Sequence, residues 1–146
     1  MSYIDASEVV RKAVVTTLKG LGYTVNGNAF PRVEVMSVTS SFGIDKDNET
    51  EIVTVQLDVI TQGTSPAQAI LMRKNIVEKF CLTGLDGMVG LISVYCALDM
   101  DEDIHEIDDV NEIYRRILRF NILTHKKIKL WQQQTVQDGL YSLEEQ

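Results

Sequence analysis

Residues 99–112, "DMDEDIHEIDDVNE", carry eight Asp/Glu and no Lys/Arg, and residues 114–129, "YRRILRFNILTHKKIK", carry six Lys/Arg and no carboxylate. The sign of the charge flips within two residues, and the reading of this stretch decides the architecture. As a helix, its apolar positions 113, 114, 117, 118, 120, 122 and 123 scatter around the circumference and leave no coherent polar side. As a strand, Tyr114, Leu118, Phe120 and Ile122 share a face with Arg116, while Arg115, Arg119 and Asn121 take the other. The sequence therefore predicts a strand over the basic segment, with the acidic segment before it as a solvated hairpin loop.

The clearest strand is "EIVTVQLDVI" at 51–60, where Val53, Val55, Leu57 and Val59 alternate with Thr54, Gln56 and Asp58. Its neighbours are "RVEVMSVTS" at 32–40 and "LISVYCAL" at 91–98, both rich in residues that suit a pleated surface. Between the first two strands "SFGIDKDNET" at 41–50 is polar and too long for a two-residue turn, which predicts an extended β-loop projecting from the sheet edge.

Two helices interrupt the strands. Asp5 and Glu8 have the form of a capping box, with Val10, Ala13, Val14, Leu18 and Leu21 at helical spacing behind them and Gly20 and Gly22 at the end. "VNGNAFP" at 25–31 is turn chemistry. Ser65 as cap, Pro66 at the first helical position and Gln68 open the second helix, whose expected apolar face is Ala69, Ile70, Ile76, Val77 and Phe80, closed by Gly84. The whole predicts an α+β fold: a four-stranded antiparallel sheet covered on one face by two helices, in the order α-β-β-α-β-β. Residues 1–126 form the single domain and 127–146 a C-terminal arm that docks on a neighbour.

With 146 residues, 45% apolar and 24% charged, the chain has the balance of an ordinary globular domain. A net charge of −7 argues against wholesale nucleic-acid binding, which needs clustered cations to displace phosphate counterions. No apolar run is long enough to cross a bilayer and "MSYIDASEVV" lacks the form of a signal peptide, so synthesis in the cytosol, with no membrane partner, is expected. Cys81 and Cys96 fall in apolar segments and read as buried free thiols.

Catalytic and metal chemistry find little support. Asp99, Asp101 and Asp103 have the spacing of a calcium loop, but Ile104 stands where the turn needs glycine and Val110 where a glutamate should close the shell. A two-metal nuclease needs carboxylates converging from rigid elements, and these are consecutive. His105 and His125 have no zinc-type partners, no serine sits in a nucleophile elbow, and no glycine-rich phosphate loop occurs. No cofactor, metal ligand or catalytic residue is expected. The charge boundary keeps three readings: a solvated strand face, a head-to-tail contact in which one subunit's acidic loop meets the next subunit's basic strand around a ring, and, ranked behind that contact, binding of nucleic-acid phosphates by Arg115, Arg119, Lys126, Lys127 and Lys129.

The order of elements, with "AFPRVEVMSV", the charged loop, "EIVTVQLDVITQG" leading at once into "SPAQAILMRKNIVEKF", and the acidic loop ahead of "YRRILRFNIL", resembles the tail terminator (tail completion) family of long-tailed phages over about residues 5–124. The resemblance implies a structural virion protein, not an enzyme, at the tail-neck junction after assembly in the host cytoplasm. It implies a ring, usually a hexamer, that caps the tail tube protein, stops its polymerisation and offers a surface to the head-tail connector, with DNA passing unbound through the lumen. Ile44, Asp45, Lys46 and Asp47 would reach an adjacent subunit or the tube, and Asp99, Asp101, Glu102 and Asp103 would meet Arg115 and Arg119 across the ring seam. Another neck or head-completion ring protein is the alternative, and a nucleic-acid-binding protein or metal-dependent nuclease a more distant one.

Overall fold

The computed structural model describes residues 5–42, 50–63, 66–107 and 112–126. Helix α1 (Ala6–Gly20) begins as expected, with the Asp5 carboxylate accepting from the Ser7 and Glu8 amides. That fills two of the donors a helix start leaves unpaired. Hydrogen bonds to Asp5 from the Ser7 hydroxyl and the Glu8 amide hold its carboxyl below the usual range. The chain then forms β1 (Thr24–Val25), β2 (Arg32–Phe42), β3 (Thr50–Gln62), α2 (Ala67–Glu78), a π-turn (Lys79–Thr83), β4 (Leu91–Ile107) and β5 (Glu112–Lys126).

These elements overturn the expected four-stranded antiparallel sheet. Among the described residues the sheet has five strands in the order β1-β2-β3-β5-β4, and it is mixed, because β1 runs parallel to β2. The extra strand leads into what reads as turn chemistry: Asn26, at φ 55°, turns the chain so that its amide donates to the Val33 carbonyl and its side-chain oxygen accepts from the Val35 amide. Asn tolerates that left-handed backbone better than most residues. The larger correction is β4. Residues 99–107, expected as an acidic loop, continue the strand, so β4 is 17 residues long and pairs along β5 to its end.

Sequence alternation sets the register. Val53, Val55, Leu57 and Val59 of β3 lie fully buried against α1 and α2, joined from β5 by Leu118, Phe120 and Ile122. Burying each such side chain is worth about 1.5–3 kcal/mol relative to exposure. From α1 come Val10, Val14 and Leu18, and from α2 and its π-turn Met72, Ile76 and Phe80, whose ring lies 4.9 Å from that of Phe120. Met72 takes the place expected for Ile70, which is 48% exposed. Ser65 lies outside the described residues, and Pro66 stands one position before the helix, with no side-chain cap bond. Thr17, buried in α1, accepts from the Asp86 amide and ties that helix to the segment following α2.

Candidate interaction surface

The sheet's second face follows from the same register. Across it run the rows Arg32–Ile60–Arg115–Ile104, Glu34–Asp58–Ile117–Glu102 and Ser37–Gln56–Arg119–Met100. Asp58 is 3% exposed, and its Oδ2 accepts a 2.8 Å hydrogen bond from Arg115, whose Nε also lies 3.5 Å from Glu106. Its other carboxylate oxygen, Oδ1, has no hydrogen-bond partner among the described residues. The bond to Asp58 raises the Arg115 guanidinium, against the effect of burial. Arg119 donates to Gln56 at 3.2 Å, the Thr54 hydroxyl to Asn121 at 2.9 Å, and Arg32 to Glu34 at 2.8 Å.

A second cluster forms on the helix side, where period-two alternation turns Arg116 towards α2. Arg116 grips Asp101 with two hydrogen bonds, 2.7 and 3.2 Å, and Arg73 of α2 donates to the same carboxylate. Burial acts to raise the Asp101 carboxyl, but the bonds from Arg116 and Arg73 outweigh it and hold it below the usual range.

The acidic and basic segments are thus partners within one hairpin. Of the residues expected at a subunit seam, Asp101, Arg115 and Arg119 have intrachain partners, whereas Asp99, Glu102 and Asp103 are exposed and make no ion pair among the described residues. A bulge between Leu98 and Met100 leaves Asp99 out of register with β5. Ile44, Asp45, Lys46 and Asp47 lie outside the described residues. Asp58, Gln56, Arg73 and Arg116 were missed as functional positions; the alternation of β3 and β5 offered a signal for the first two, and only tertiary packing brings Arg73 in.

Both sheet edges are open among the described residues. β4 has a neighbour on one side only, and β1 covers just the first two residues of β2. An apolar pocket of about 500 Å³ lies between α1 and the segment before β4, lined by Val9, Lys12, Gly87 and Val89. No three His, Cys, Asp or Glu side chains among the described residues come together as a metal site.

This fold is shared with a virion chain. One matching chain belongs to a solved structure, "Virion of native gene transfer agent (GTA) particle", with a TM-score of 0.67 and 14% identity, covering 84% of this chain and 99% of that one. No protein-family model and no curated protein matches the sequence.

Proposed function

We propose that the chain is a structural virion protein, without catalytic activity, that forms a ring capping a tail tube, ends its polymerisation and presents the head-connector surface. The observation that carries this reading is the fold held in common with a virion chain across nearly all of that chain's length. The open edges supply the means, since a long unpaired strand is a template for another chain and a head-to-tail contact that closes makes a ring. In this reading the exposed Asp99, Glu102 and Asp103 of β4 face cations of the next subunit. Arg115 and Arg119 are held internally, so the exposed Arg11 and Lys19 on α1, at the opposite side of the sheet, are the better candidates. DNA passes an acidic lining without being held. A neck ring of the same kind of particle differs from this in which neighbour it binds.

Native mass spectrometry and negative-stain imaging of the purified protein, alone and mixed with phage tail tubes, test the proposal. A closed ring, six-membered by expectation, that sits on tube ends is the expected outcome. A monomer at every concentration, with tubes left bare, would overturn it.

A further inference from the structure

Cys81 and Cys96 take no part in the surfaces above. Cys81 lies in the π-turn and Cys96 on β4 opposite Ile122, and the fold places their sulfur atoms 3.7 Å apart, in thiol-thiol contact. Both are half-buried and line an open pocket of about 180 Å³ together with Leu82, Gly84, Ser93 and Tyr95. A disulfide needs about 2.05 Å between sulfurs. Closing the gap asks each sulfur to move by about 0.8 Å. The π-turn, not a regular helix, carries one of them.

We infer that Cys81 and Cys96 form a dithiol modification site that reacts with low-molecular-weight disulfides and closes into an intrachain bond fastening the end of α2 to the edge strand. In the first step the Cys81 thiolate attacks one sulfur of a small disulfide RSSR, forming protein–S–S–R and expelling RS⁻, which takes up the proton Cys81 lost. In the second the Cys96 thiolate attacks the Cys81 sulfur, the bond to R breaks and a second RS⁻ leaves. Two protein thiols and one RSSR become one protein disulfide and two RSH. Burial, with Cys81 alongside, pushes the Cys96 thiol up, which slows its attack at neutral pH.

The test treats the folded full-length chain with 2-hydroxyethyl disulfide and follows intact mass and a non-reducing peptide map. Expected are a transient adduct on Cys81, then a product two hydrogens lighter than the starting protein with Cys81 joined to Cys96. Closure should quicken by roughly tenfold per pH unit, and dithiothreitol should reverse it. The closed form should melt about 5 °C higher or more. Cys96→Ser should stop at the adduct, and Cys81→Ser should resist the reagent. An adduct that persists on the native chain at alkaline pH, a bond between two chains, or thiols that react only after unfolding would each overturn the assignment, and the wild-type mass alone reads all three.

Discussion

Asp58 and Asp101 show how a single carboxylate is made useful or costly by what faces it. Asp58 is buried with one oxygen on Arg115 and the other without a hydrogen-bond partner among the described residues, so removing the guanidinium leaves a charge where water does not reach. Arg115→Met should cost about 1–3 kcal/mol in urea unfolding, and pairing it with Asp58→Leu should recover most of the loss. Reversing Arg115 is therefore a poor probe of assembly, because it strikes the fold first. Asp101 gives a pH signature. Its folded pKa is depressed, so its contribution is complete above the unfolded value near 3.8 and is lost as pH falls through the lower folded value. Asp101→Asn should destabilise by about 1.5 kcal/mol at pH 7 and by almost nothing at strongly acidic pH, read as the difference between two urea titrations.

Among the elements, β3 was legible because four apolar residues at period two leave no other reading, and α1 because its cap and stripe agree. The acidic half of β4 was not. Asp and Glu are depleted in strands, and a run of them reads as loop until the opposing arginines are known to sit across from it. Arg116 opposite Asp103 and Arg115 opposite Ile104, beside Glu106, supply that compensation, which appears only once the hairpin is paired. The same limit hid the cluster of Arg73 with Asp101, which joins a helix to a strand 28 residues on. A two-residue β1 carries too little periodicity to register. After α2, positions two apart differ sharply: Phe80 is 1% exposed and Leu82 82%. Phe80→Ala should cost about 3–5 kcal/mol by opening a cavity beside Phe120, while Leu82→Ala should change thermal stability by no more than about 0.5 kcal/mol.

At the scale of the molecule, the proposed ring calls for complementary charge on opposite sides of the sheet. Asp99→Lys with Glu102→Lys should abolish the ring in sedimentation velocity without changing the far-ultraviolet spectrum. Adding Arg11→Glu and Lys19→Glu should restore it, and raised salt should weaken the wild-type ring. Rings that ignore both charge swaps would place the seam elsewhere.

The strand order has one more effect. β5, near the end of the described chain, lies between β3 and β4, so neither has its full set of neighbours until the ribosome has released it. A nascent chain stopped before Glu112 holds Val53, Val55, Leu57 and Val59 with no β5 to pair against, and both inner edges bare. Completion of the sheet waits on the synthesis of β5, and a chain that stops before Glu112 should be cut by proteases that the folded protein resists.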